Sequence, residues 1–182
     1  MLLIWAIPLG VLIGYLRGGR LSHLGQIQLK GVWLIVLALI VQLLIFPFGS
    51  RALVTVGTEY LHLFSYALLV LFALFNWREW GVLVMAAGMV LNLLVIALNG
   101  GYMPTTADGL GYAGRDVAAR ALADLHHYGN NCLSGTDGCA TLAGLSDNFA
   151  VPAWVPLANV FSVGDIFLAL GLIWFLQEKM RG

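Results

Sequence analysis

Charge is the scarcest property of this sequence: nine Lys or Arg and nine Asp or Glu stand among 182 residues, 10% in all. A soluble domain carries about 25%. The two signs cancel, so the basic surface that nucleic acid requires is missing and no nucleic-acid partner is expected. Cysteine is nearly absent as well, at two residues. No Cys-x-x-Cys, no His-x-x-x-His, no serine–histidine catalytic pattern and no Walker-type or dinucleotide-binding glycine motif occurs, which removes the usual redox, zinc, nucleophile and nucleotide signatures. There is no internal repeat and no low-complexity tract. What remains is apolar: 60% of residues are hydrophobic and the mean hydropathy is +0.90. A soluble fold of this length cannot cover so much apolar surface, so the chain reads as a single integral membrane domain over residues 1–182.

A bilayer core of roughly 30 Å takes about 20 helical residues. Five stretches come close: 1–16, 31–48, 60–76, 80–98 and 156–177. Three of them hold no Asp, Glu, Lys, Arg or His; the third holds His62 and the fifth Asp165. The first has neither a basic leader nor a cleavage pattern before Arg17, and reads as a retained span. Lys and Arg set the orientation. With the N-terminus outside, the inner segments hold Arg17, Arg20, Lys30, Arg78, Lys179 and Arg181, and the outer ones hold Arg51, Arg115 and Arg120. The expected fold is therefore all-α, a polytopic bundle of five transmembrane helices, N-out and C-in, in a bacterial plasma (inner) membrane. Its large extracytoplasmic loop, residues 100–155, carries Cys132 and Cys139. On that side of a membrane disulfides persist, and a Cys132–Cys139 bridge closing so short a loop is worth about 2.5 kcal/mol in the chain-entropy account; two free thiols or a metal pair is the alternative.

Small residues recur every four positions in the first span, at Ala6, Gly10, Gly14 and Gly18, making a groove for a second helix. That helix belongs either to this chain or to a partner subunit. Arg17 and Arg20 flank two glycines and suit a lipid phosphate as well as a simple inner-face anchor. In the loop, 115–128 reads as an amphipathic helix with Val117, Ala121, Leu125 and Tyr128 on one face, charge pairs Asp116–Arg120 and Arg120–Asp124 at i, i+4, and a stop at Gly129. The stretch 149–156, with Trp154 between two prolines, reads as an interfacial approach to the fifth span.

Asp165 is the sharpest chemical feature. A fifth helix starting near Pro156 places it about nine residues in, or ~14 Å at 1.5 Å per residue, where a carboxylate is costly and faces the bundle or a wet cavity. Asn159 and Ser162 share its stripe, and Asn92 and Asn99 answer from the fourth span, so these five residues form the expected polar intramembrane cluster. His62 as a pigment or haem ligand, and His126 beside His127 as a metal ligand, are weaker candidates; adjacent histidines on a helix diverge. No metal and no cofactor is predicted.

Taken in order, Gly18-Gly-Arg-Leu-Ser, Asn99-Gly-Gly-Tyr-Met-Pro and Asn159-Val-Phe-Ser-Val-Gly-Asp resemble a bacterial family of five-span membrane proteins of unknown function. That resemblance implies the fold and the membrane location and no activity. The stretch from Asn159 to Asp165, followed by Leu170-Gly171, is also similar to the second catalytic motif of lipoprotein signal peptidases. Those enzymes pair it with an upstream Asp, for general acid–base work needs one protonated and one ionised carboxyl. The matching upstream stretch here, from Asn99, has none, and Asp108 lies in the loop. The expected function is a non-catalytic accessory or scaffolding subunit of a larger membrane complex, such as a respiratory or photosynthetic one, with membrane lipids and other membrane subunits as partners. The alternative is a small membrane enzyme or transporter that uses Asp165 with Asn92, Asn99 and Asn159, with Asp165 and Asn99 as its catalytic candidates.

Overall fold

The computed structural model describes residues 2–46, 53–54 and 56–182. Arg51, Met1 and the last two residues of the expected second span, Pro47 and Phe48, lie outside the described residues. Continuous apolar runs with few polar interruptions form long helices: α1 (Leu2–Leu16), α2 (Val32–Ile45), α3 (Thr58–Phe75), α4 (Trp80–Leu98) and α7 (Val163–Arg181). α3 and α4 are long and apolar enough to cross a membrane, and only 28% and 39% of their apolar windows is buried within the chain. α1 and α2 are shorter apolar helices of 15 and 14 residues. Large apolar side chains such as Leu12, Val36, Leu74, Leu98 and Leu170 stand more than half exposed.

The long helices neighbour one another in the order α1, α7, α4, α3, α2. Leu34 and Ala38 of α2, Leu68 and Phe72 of α3, Val82 and Met89 of α4, and Leu168 and Phe175 of α7 make one apolar core. The tightest contact is α4 on α7, and glycine explains it. A Cβ at Gly81 would fall 2.5 Å from that of Phe175, and one at Gly171 would fall 2.6 Å from the backbone nitrogen of Met85. Without side chains at these points the two backbones meet directly. On the other side of α7, Gly10 of α1 lies against Ile173 and Leu176, and Gly14 against Met180. The small-residue stripe of α1 therefore packs on α7 of the same chain. Gly18 lies past the end of α1 at φ +80°, with nothing near its missing side chain, and Gly19 takes the next close approach, to Met180.

At one end of the bundle the connections are short and basic. Arg17 donates to Gln177, the Arg20 amide to the Met180 carbonyl at 2.7 Å, and Lys179 pairs with Glu79 at 2.6 Å. Asn76 binds both the amide and the carbonyl of Lys30, at 2.9 and 2.8 Å, and clasps the end of α3 to the start of α2.

At the other end residues 99–162 fold back as a cap. It holds more regular structure than the one short helix expected. Beside two short helices, α5 (Ala107–Tyr112) and α6 (Asp116–Leu125), it holds β1 (Met103–Thr105), β2 (His127–Tyr128) and β3 (Asn131–Leu133), in sheet order β1-β3-β2, and a hairpin of β4 (Phe149–Ala150) with β5 (Val160–Phe161). Strands of two or three residues carry too little alternation to show in sequence. The Cys132–Cys139 disulfide is formed. α6 turns Ala118 and Leu122 inward onto Leu110 and Val160, whereas Val117 and Leu125, of the apolar face read from sequence, are 76% and 70% exposed. The helix stops at His126, in the left-handed region at φ 61°, and Gly129 serves the turn between β2 and β3 instead. Among the described residues Glu79–Lys179 is the one ion pair within 4 Å, so the charges of α6 remain solvated.

Candidate functional site: a polar cavity beneath the cap

The fifth helix begins seven residues later than expected, and this changes what Asp165 does. Residues 160 and 161 are held in β5 by β4, so the chain is still extended where the apolar run starts. Ser162 then caps α7: its hydroxyl accepts from the Asp165 amide at 3.1 Å, and the Asp165 carboxylate accepts from the Ser162 amide at 3.3 Å. Asp165 is thus in the first turn of its helix, where a carboxylate is favoured by the free amides, and not nine residues deep. Because α7 and α4 meet backbone to backbone, this cap sits against the middle of α4. Asn92 donates to Asp165 Oδ1 at 3.1 Å and its own Oδ1 accepts from the Ser162 hydroxyl at 2.8 Å. Asn92, Ser162 and Asp165 form one network, with the Tyr66 hydroxyl 3.5 Å from Asn92.

Asn99 is not part of it. Buried at the end of α4, its side chain donates to the carbonyls of Val95 and Thr141 at 2.7 and 2.8 Å and accepts from the Thr141 amide at 3.0 Å. Its valences are used in fastening the cap to α4. The two glycines after it lie at φ +66° and +94°, a region that favours glycine, and they reverse the chain into β1. Gly101 also passes so close to Glu59 that a side chain there would collide with it. Its carbonyl lies 3.1 Å from His62 Nδ1. A carbonyl only accepts, so Nδ1 carries the proton and Nε2 of the neutral ring is left as acceptor. The ring stands between Phe46 and Tyr66, edge-on to both, at 5.4 and 5.5 Å.

Between this network and the cap lies a cavity of about 580 Å³, bounded by the C-terminal half of α2, the first turns of α3 and α7, the end of α4, and the cap. Such a volume is typical of small-molecule sites. Asn92, Asn159, Asp165 and His62 all line it; of the residues expected to cluster, Ser162 lies behind Asn92 and Asn99 lies elsewhere. Two lining residues carry the chemistry that sequence reading misses. Asp147 enters through a bridge to Thr105, with its amide donating to the Pro104 carbonyl at 3.1 Å. Its carboxyl is pushed up to about 7, first by burial and then by the negative charge of Asp165, against hydrogen bonds from Thr105 and Asn131. Asn130 is 1% exposed, and among the described residues neither its amide nitrogen nor its amide oxygen has a hydrogen-bond partner. Unmade hydrogen bonds on a buried amide cost about 1–3 kcal/mol.

The weaker candidates stand apart. His126 is exposed at the end of α6, and His127 lies on β2 with its ring 4.7 Å from Tyr102. Among the described residues no three His, Cys, Asp or Glu side chains are grouped as a metal would need. Arg17 and Arg20 lie at the opposite end of the bundle.

Fold and site together define a helical bundle, rich in exposed apolar surface, that holds a cavity with two carboxylates and several amides in its lining under a small disulfide-closed α/β cap. The chain belongs to the family of unknown function DUF5317, whose model matches residues 26–177. The segments from Asn99 and from Asn159 lie inside that match; the Gly18–Ser22 segment precedes it. No curated protein and no solved structure matches the sequence, so the likeness to lipoprotein signal peptidases rests on the stretch from Asn159 to Asp165 with Leu170-Gly171 alone.

Proposed function

We infer that this chain is a multi-pass protein of a bacterial plasma membrane, with α1, α2, α3, α4 and α7 as five spans, N-out and C-in, and that its cavity binds a small polar solute from the outer side. Binding is the step that a transporter and an enzyme built on Asp165 share. The observation that carries the reading is Asn130: a buried amide with both ends unpartnered, on the wall of a cavity that also presents two carboxylates. Buried polar groups are nearly always satisfied, and a ligand's hydrogen-bonding groups would satisfy this one. The membrane placement draws support from the half-exposed leucines and valines and from the six basic residues at the end opposite the cap. The accessory-subunit reading drew on the small-residue stripe of α1, and α7 occupies that stripe.

The test is a thermal-shift screen of purified protein in mild detergent against amines, amino acids, sugars and alcohols. One class is expected to raise the melting temperature of the wild type. Asn130→Leu, which removes an unsatisfied amide, is expected to melt no lower than wild type and to lose the shift. A wild type indifferent to every class, or a shift that survives in Asn130→Leu, overturns the binding site. Stoichiometric co-migration with a larger complex on a native gel, together with an inert cavity, restores the accessory-subunit reading.

A further inference from the structure

We propose that the solute is an organic cation, an alkylammonium in its simplest form, and that it binds in exchange for a proton held by Asp147; this rests on the cavity being a binding site. Four observations lead there. The first is charge. Asp147 and Asp165 both line the cavity, close enough for each charge to be felt by the other, and among the described residues the one positive side chain on the lining is Arg115, which is exposed. Exchange of a monovalent cation for the Asp147 proton leaves the cavity's charge unchanged, whereas a cation added without proton loss, or a proton lost without a cation, does not. Charge uncompensated in such a place is costly.

The second is the aromatic part of the lining. Phe46, His62 and Tyr66 stack edge to face along one side, and Tyr128 adds a further ring to the lining. Aromatic faces attract a cation, and more strongly once it is desolvated. The third is size. A volume of about 580 Å³ is far larger than a bare metal ion needs, and the absence of any group of three ligating side chains among the described residues agrees. The fourth is Asn130, independent of the acidic pair, whose free amide oxygen is an acceptor for an ammonium N–H or a substrate hydroxyl. The titratable groups facing Asp147 are Asp165 from α7, Tyr66 and His62 from α3 and Arg115 from the start of α6. Of these, Asp165 opposes its ionisation. The exchange is balanced as written: cation and protonated Asp147 give the bound cation, ionised Asp147 and one proton released to solvent.

The test is titration calorimetry on the full chain in lipid nanodiscs, with methylammonium, tetramethylammonium and choline as probes and 3,3-dimethylbutanol as the neutral isostere of choline. Runs at pH 6 and pH 8, in two buffers of different ionisation enthalpy, count the protons released. With the Asp147 carboxyl titrating at about 7, the deprotonated fraction rises about tenfold between those pH values, and cation affinity is expected to rise about tenfold with it. Proton release toward one per cation is expected at pH 6. Asp147→Asn is expected to flatten the pH dependence and to weaken binding at pH 8. Equal binding of the neutral isostere, a flat pH profile in the wild type, or no binding of any of the three cations overturns the proposal. The cavity reading survives each of these results if the solute screen still shows a shift that Asn130→Leu abolishes, and fails separately if it does not.

Discussion

Asp147 and Asp165 illustrate how differently two carboxylates of one site announce themselves. Asp165 interrupts an apolar run, so hydropathy alone marks it. Asp147 lies in Ser146-Asp147-Asn148, a polar stretch where an Asp is ordinary, and it reaches the cavity only because the chain forms a bridge to Thr105, 42 positions earlier. No local pattern encodes such a pairing. Its environment has a consequence for the empty protein. The folded state holds the Asp147 proton up to about pH 7, while the ordinary value is 3.8, so between those values the native chain binds more protons than the unfolded one. Stability therefore falls as pH rises through that window. The melting temperature is expected to rise when pH is lowered from 8 to 6, and Asp147→Asn is expected to remove that part of the slope and to be the more stable protein at pH 8. Melts of both proteins across the range check this; parallel curves count against a part-buried, proton-holding Asp147.

Among the elements, the helices are legible because a membrane-length apolar run has few other ways to satisfy its backbone, and four of the five start or end within three residues of where hydropathy places them. The start of α7 is not legible, since Val160 and Phe161 are as apolar as the helix itself and only their pairing with Phe149 and Ala150 keeps them extended. The interval-of-four stripe in α1 also shows in sequence. The pairs Gly81 with Gly88 and Gly164 with Gly171, each seven apart, become meaningful only once α4 and α7 are seen to face each other. They predict that the α4–α7 contact is the mechanical centre of the bundle. Gly171→Leu places a side chain where Met85 and the backbone of Gly81 already are; overpacking of this kind costs about 1–3 kcal/mol, occasionally more. The variant is expected to melt well below wild type, and to lose the Asn92–Asp165 bond as the helices part. Gly25→Ala, at a glycine with no atom near its missing side chain and without a positive φ, is the control, expected to stay within about 0.5 kcal/mol of wild type.

For the whole molecule, two features that are unrelated chemically point to the same side. Arg17, Arg20, Lys30, Arg78, Lys179 and Arg181 gather at one end of the bundle, tied there by Arg17 to Gln177 and by Lys179 to Glu79. The Cys132–Cys139 disulfide lies at the other end, in the cap. Positive loops stay in the cytoplasm, and disulfides persist outside it, so each feature independently supports the proposed orientation with the cap outward. The same orientation decides from which side the cavity is reached, because the cavity lies under the cap. A fluorescent protein fused after Gly182 is expected to fluoresce, and alkaline phosphatase at the same position to be inactive, since the first folds in the cytoplasm and the second needs the oxidising side. A cysteine placed at Asp137, in a Cys132→Ser, Cys139→Ser background, is expected to react in intact spheroplasts with a membrane-impermeant maleimide. If the phosphatase fusion is active and position 137 is protected, the chain is inverted. The basic end then faces outward and the cavity opens to the cytoplasm, and the exchange of a cation for the Asp147 proton would draw on the solutes of that compartment.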